Sequence, residues 1–296
     1  MNRRQTLAAS GLIAITSLLG SSFAQAKDAA LQVQTYNPGR QSVFPVSASL
    51  ISGPKEVVLI DAQFQRNDAQ VLVEKIKQSG KTLKMVFITR ADPDYYFGLD
   101  TIQAAFPDVA IVATAQTVDA IAQQMQGKLA YWGPILKDNA PQKLVLPTAW
   151  KGEHFSVDGQ RVDIKGYAGQ GAPGYLWVPS TKTVLGGVAV SSGIHVWMAD
   201  AQTPQARSAW LRNLDQIQQL NPAKVVPGHY LGDVPKGVEA VRFTKDYVQN
   251  FARQSATAKD AGALVQAIQS DYPALGESES LNLSAKVYKG EMKWPQ

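Results

Sequence analysis

The sequence predicts a layered α/β fold, and three observations carry that prediction. Strand and helix signals alternate along most of the 296-residue chain. Several of the strands are short runs with an apolar core, such as "EVVLIDA" and "KMVFITR", suited to burial on both faces. Three polar or Gly-rich stretches, residues 88 to 98, 166 to 179 and 225 to 230, follow strands, where an α/β scaffold normally presents its site.

The elements follow in order. "VSASLISG" and "EVVLIDA" flank Gly53-Pro54-Lys55 and read as a hairpin. "NDAQVLVEKIKQSG" reads as a helix with Asn67 as its N-cap and Gly80 as its stop. "KMVFITR" is a buried strand, "DTIQAAF" a helix, "VAIVATA" a strand and "QTVDAIAQQMQ" a helix. "KLAYWGPILKDNAP", residues 128 to 141, combines aromatics with Gly and Pro and reads as a loop over a cleft. In the second half, "KLVLP", "HFSVDGQRVDIKGY" and "GYLWVPSTKTVLGGVAV" read as strands joined by turns. "TPQARSAWLRNLDQIQQL" is an amphipathic helix opened by Thr203-Pro204. "AKVVPGHY" is a last buried strand, and the chain beyond it is mainly helical to about Tyr272.

Residues 1 to 26 read as an export signal. "MNRRQ" is a basic start, "TLAASGLIAITSLLG" an apolar core too short for a convincing membrane span, and "AQA" a small-residue cleavage site before Lys27. Arg3-Arg4 suits twin-arginine export and Thr6 does not, so both export routes stay open. The expected mature protein is periplasmic or secreted, with no stable membrane anchor after cleavage. It spans 27–296 as one domain with a helical C-terminal extension from about 235. The formal charge of +5 falls to +3 once the two signal Arg are removed. That mild, unclustered excess gives no case for nucleic acid or an anionic membrane surface, and no nucleic-acid partner is expected. Cys is absent and the chain has three His, namely His154, His195 and His229, so disulfides and thiolate metal ligands are excluded.

The phrases "LIDA", "FITRADPDYYFG", "VPSTKTVLGG" and "VVPGH" together resemble the metallo-β-lactamase superfamily over roughly residues 45 to 232. The resemblance implies a four-layer αβ/βα sandwich with a metal site at one sheet edge. It also implies a loop of the form T-H-x-H-x-D-H, a further His in a Gly-rich loop, a bridging Asp after Gly, and a final His. Here the first loop runs Thr89, Arg90, Ala91, Asp92, Pro93, Asp94, Tyr95, so its three His positions hold Arg90, Asp92 and Tyr95. The Gly-rich loop offers Tyr167, Gly169 or Gln170 at the next position, and Val188 stands where the bridging Asp is expected. Asp94 and His229 alone match.

A zinc site needs at least three protein ligands, and Arg cannot ligate. No metal or other cofactor is therefore expected. The alternative is one divalent ion held weakly by Asp92, Asp94 and His229, where oxygen-rich ligation favours Mg or Mn over Zn. Arg90 is expected to balance Asp92 and Asp94 in the metal's place. Asp94 and His229 are the catalytic candidates. Arg90, Asp92, Tyr95, Tyr167, Gln170, Val188 and His195 are expected along the cleft, with His195 packed on Trp197 and His154 at the surface. The resulting reading is an exported relative of metal-dependent hydrolases that has lost most zinc ligands and binds a small molecule or a protein partner. The alternative is an active hydrolase with a mononuclear or metal-free site on Asp92, Asp94 and His229.

Overall fold

The computed structural model describes residues 30–167 and 173–294. The expected export signal lies outside those residues. Three antiparallel strands, β1 (Gln32–Tyr36), β2 (Ala48–Ser52) and β3 (Glu56–Ile60), open a six-stranded sheet. Parallel strands β4 (Thr82–Ile88), β5 (Ala110–Thr114) and β6 (Thr148–Trp150) complete it in chain order. Between them run α1 (Arg66–Gln78), the short α2 (Pro93–Tyr96), α3 (Leu99–Ala105) and α4 (Ala115–Leu136).

The second sheet has the order β12-β10-β9-β8-β7, from β7 (His154–Val157), β8 (Gln160–Lys165), β9 (Tyr175–Val178), β10 (Thr183–Leu185) and β12 (Lys224–Val225). A two-stranded parallel pair, β11 (Ser191–Ser192) with β13 (His229–Tyr230), sits apart from both sheets. Helix α5 (Pro204–Gln219) precedes β12, and α6 (Glu239–Thr257), α7 (Ala261–Asp271) and α8 (Ser278–Tyr288) follow β13.

Strand alternation explains the layering. Successive side chains of a strand point to opposite faces. Val58, Ile60, Met85 and Phe87 therefore meet Phe155, Val162, Leu176 and Val178 of the second sheet in the central core. Val57, Leu59, Val86 and Ile88 face the other way, onto Leu72, Ile76, Leu99 and Ile102 of α1 and α3. The outer face of the second sheet, with Tyr175, Trp177 and Val184, packs against Trp210, Leu214, Val248, Phe251, Leu264 and Leu281 from helices α5 to α8. The result is the four-layer αβ/βα sandwich.

Several local readings change. Helix α1 begins at Arg66 with Gln65 as its N-cap residue, and Asn67 instead accepts a bond from the Gln65 amide at 3.0 Å. "KLVLP" forms no strand, and the edge strand begins at Thr148. Residues 128 to 136 are not a loop, because α4 continues through Gly133 and Pro134 to Leu136. A Pro this close to a helix C-terminus breaks the ladder only where it is about to end. Thr203 caps α5 as expected, its hydroxyl accepting from the Ala206 N–H at 3.1 Å. A third C-terminal helix extends helical structure to Tyr288. Among the described residues, no helix is long and apolar enough to cross a membrane.

Candidate functional site

The site grows from the carboxyl end of β4. Thr89 is fully buried there and is gripped by Asp61, the residue just after β3, which has a left-handed conformation at φ 62°. The Thr89 N–H donates to Asp61 Oδ1 at 2.8 Å, and its hydroxyl donates to the same carboxylate, 2.7 Å from Oδ2. Thr89 Oγ1 in turn accepts from the Gly187 N–H at 2.9 Å, tying the β4 loop to the loop after β10. Burial pushes the Asp61 carboxyl up to about 7, against the Thr89 hydrogen bonds, with the nearby Asp94 charge adding to the rise.

Beyond Thr89 the loop divides. Arg90 Nε donates to Asp92 Oδ2 at 3.1 Å, while Lys128, reaching in from α4, places Nζ 3.4 Å from Asp92 Oδ1 and 3.2 Å from the Ala91 carbonyl. Burial opposes ionisation of Asp92, yet the two cations hold its carboxyl at about 2. Burial likewise opposes the Arg90 charge, and the carboxylates of Asp92 and Asp200 outweigh it, so the guanidinium is held more firmly protonated than usual. Asp200 accepts the Trp197 indole N–H at 2.9 Å. Burial, then the charge of Asp92, push its carboxyl up to about 6.

Pro93 opens α2 with a fixed φ and carries Asp94 away from Arg90. Asp94 Oδ2 lies 2.7 Å from His229 Nε2, and Tyr95 Oη lies 3.2 Å from His229 Nδ1. The tautomer that satisfies both contacts carries its proton on Nε2, which donates to Asp94 while Nδ1 accepts from the tyrosine. The balance expected between Arg90 and both carboxylates is therefore corrected: Arg90 bonds Asp92 alone, and Asp94 takes His229. His229 is held in β13 between Ser191 of β11 and a bridge to Val46. Gly228 makes this possible, because a Cβ there would stand 1.9 Å from the Gly187 carbonyl oxygen.

These groups open onto a cleft of about 300 Å³. Asp92, Asp94 and His229 form part of its lining, with Lys128 and Trp132 from α4 on one side. The segment from Val188 to Trp197 and the C-terminal Glu277, Met292 and Trp294 supply further walls. Of the residues expected along the cleft, Asp92, Val188 and His195 line it, together with Asp94 and His229. Arg90 and Tyr95 are not part of that lining; Tyr95 is fully buried. Tyr167 also lies off the lining and donates its hydroxyl to the Thr89 carbonyl at 2.9 Å. Gln170 and Gly169 lie outside the described residues.

His195 is buried with Nδ1 3.2 Å from the Tyr247 hydroxyl, so its ring partner is Tyr247 rather than Trp197, and burial lowers its pKa. His154 is exposed on β7. Among the described residues, no group of three or more His, Cys, Asp or Glu is placed to hold a metal ion. In particular, Asp92 turns its oxygens to Arg90 and Lys128 while Asp94 turns to His229. Sequence reasoning missed Asp61, Lys128, Asp200 and Glu277. Asp61 and Lys128 had a signal, since they sit in the quoted phrases "LIDA" and "KLAYWGPILKDNAP".

Comparison with known proteins agrees with this architecture. A metallo-β-lactamase from Pontibacter korlensis superposes with a TM-score of 0.55 at 20% identity, covering 74% of this chain and 93% of that one. A metallo-β-lactamase family protein from Thermus thermophilus superposes with a TM-score of 0.59 at 16% identity, covering 88% and 93%. At those identities the likeness shows the fold alone. The uncharacterized protein YobT of Bacillus subtilis is 31% identical over 71 residues, which is 24% of this chain and only 30% of that relative's length. The family profile of the metallo-β-lactamase superfamily matches residues 42–229, more than half of the sequence, and the chain belongs to that superfamily.

Proposed function

We propose that this protein is an exported, non-hydrolytic member of its superfamily that binds a small molecule in the cleft. The observation that carries the reading is how the loop after β4 spends its charged groups. Asp92 is neutralised by Arg90 and Lys128, and Asp94 and His229 are bonded to each other. Val188 presents no donor. This donor set does not fit a dinuclear zinc centre. A cation entering beside Asp92 would meet two resident positive charges at contact range. The walls support ligand binding, because four of the chain's six Trp, Trp132, Trp197, Trp210 and Trp294, line the cleft.

One feature favours a second reading. Asp94, His229 and Tyr95 form a hydrogen-bonded chain, two of whose members open on the cleft, and such a pair could move a proton for a metal-free or mononuclear hydrolase. Elemental analysis of the purified protein, run beside turnover assays on ester, lactam, lactone and phosphodiester substrates, separates the two. The binding reading expects substoichiometric metal after dialysis and no turnover above a His229→Ala control. Near-stoichiometric metal with turnover that the control loses would overturn it. Export rests on the N-terminal sequence, and the intact mass of the exported protein should begin at Lys27.

A further inference from the structure

Glu277 is the group in the cleft whose chemistry is left open. It follows Gly276, which is fixed to the opposite wall: the His195 N–H donates to the Gly276 carbonyl at 2.8 Å and the Gly276 N–H to the Gly193 carbonyl at 3.1 Å. Glu277 itself has φ 61° and ψ 48°, a left-handed conformation that is unfavourable for a residue with a Cβ. Its side chain is turned into the cleft wall and is partly buried. Among the described residues the carboxylate joins no hydrogen bond or ion pair. Burial raises its pKa, and His229 and Arg40 act on it only through their charge. A partly desolvated carboxylate without a partner is costly unless a cation or donor reaches it.

The remaining walls suit the same occupant. Trp197 and Trp294 meet at 4.9 Å with an interplanar angle of 68°, and Tyr131 and Trp132 meet at 4.9 Å and 85°. Aromatic rings along a cleft attract a cation through their electron-rich faces. An anion finds no equivalent welcome. Lys128 supplies the cleft's ammonium, and that group is already engaged by Asp92 and the Ala91 carbonyl.

Building on the ligand-binding reading above, we infer that the cleft selects an organic cation: an ammonium group on an apolar, ring-bearing body, with the charge directed at Glu277. Three size-matched probes test this on the full mature chain by titration calorimetry: (1-naphthylmethyl)trimethylammonium, 1-naphthylmethanol and 1-naphthylacetate. The ammonium probe should bind at least about tenfold more tightly than the acetate. Glu277→Gln should weaken the ammonium by about fivefold or more and leave the alcohol unchanged. Equal or tighter binding of the acetate, no binding of the ammonium, or an ammonium affinity unaltered by Glu277→Gln would each overturn the inference. Should Glu277→Gln lose the alcohol as well, Glu277→Asp decides. It keeps the charge, so a retained ammonium preference supports the assignment and its loss overturns it. Turnover of a naphthylmethyl ester bearing an ammonium group would sink the non-hydrolytic reading while leaving the ligand class intact. Loss of the ammonium preference without any turnover would do the reverse.

Discussion

Asp92 and Asp94 stand two residues apart on one turn of chain, yet the fold gives them opposite lives. Asp92 is gripped by two basic side chains, Arg90 beside it and Lys128 from α4, and is held ionised. Asp94 is served by a single imidazole, that of His229, 2.7 Å away. Pro93 separates them by starting a helix between their side chains. The first carboxylate is a fixed structural charge, and the second belongs to a hydrogen-bonded chain that opens on the cleft. The difference shows how one loop can keep its backbone frame while its two acidic positions take unrelated chemistry.

The sharpest way to break this contrast is Arg90→Ala. It leaves Asp92 partly buried with only Lys128 for company. Removing one partner of a buried pair costs about 3–5 kcal/mol, and the surviving ammonium places this case near about 3. Double-mutant cycles in urea should give a coupling above about 1 kcal/mol between Arg90 and Asp92, and under about 0.5 between Arg90 and Asp94. Comparable coupling to both carboxylates would erase the distinction and restore the idea of a guanidinium balancing the whole loop.

A smaller effect separates the two in acid. The Asp92 carboxyl is depressed to about 2 in the folded protein, against an ordinary value near about 4. Its contribution is therefore fully present above about pH 4 and is lost as pH falls through about 2. Asp92→Asn lacks that contribution at every pH. The gap between the two unfolding curves, about 1–2 kcal/mol near pH 6, should close as pH approaches 2. Asp61 and Asp200, raised to about 7 and about 6, act in the other sense. Their stabilisation is present below about pH 4 and is lost as pH rises through those values. Asp61 is common to both proteins and largely cancels. Asp200 feels the Asp92 charge, so part of its rise should relax in the variant. A gap that stayed constant down to pH 2 would mean that Asp92 is not the fixed charge described.

What the sequence shows of this site follows from how local each signal is. The hairpin at Gly53-Pro54-Lys55, the buried strands β3 and β4 and the Thr203-Pro204 start of α5 are written in adjacent residues, and the structure contains them. Arg90 and Asp92 were legible as partners because two residues separate them. Asp94 and His229 were legible only through the resemblance, 135 positions apart. Lys128 was hidden for a different reason. Its neighbours Trp132, Gly133 and Pro134 look like a helix breaker, whereas packing of Ile121 and Met125 on the first sheet carries α4 onward. A Lys read as part of a loop gives no reason to be placed beside Asp92. Glu277 lay past the end of the expected helical region and had no local motif.

The least disruptive substitution probes that hidden contact. Lys128 sits on α4 with its ammonium 3.4 Å from Asp92 and 3.2 Å from the Ala91 carbonyl, its side chain 15% exposed. Lys128→Met keeps the aliphatic length and the helix propensity while removing charge and donors. Arg90 still faces Asp92, so the carboxylate is not stranded and the loss should be only about 0.5–1 kcal/mol. The informative readout is where the remaining coupling goes. With the ammonium absent, Arg90 becomes the only cation bonded to Asp92 among the described residues, and the Arg90–Asp92 coupling should rise above its value in the wild-type background. If it stayed unchanged, Lys128 would be tethering α4 to the loop through the Ala91 carbonyl alone, and Asp92 would be a single ion pair rather than the centre of a three-charge cluster.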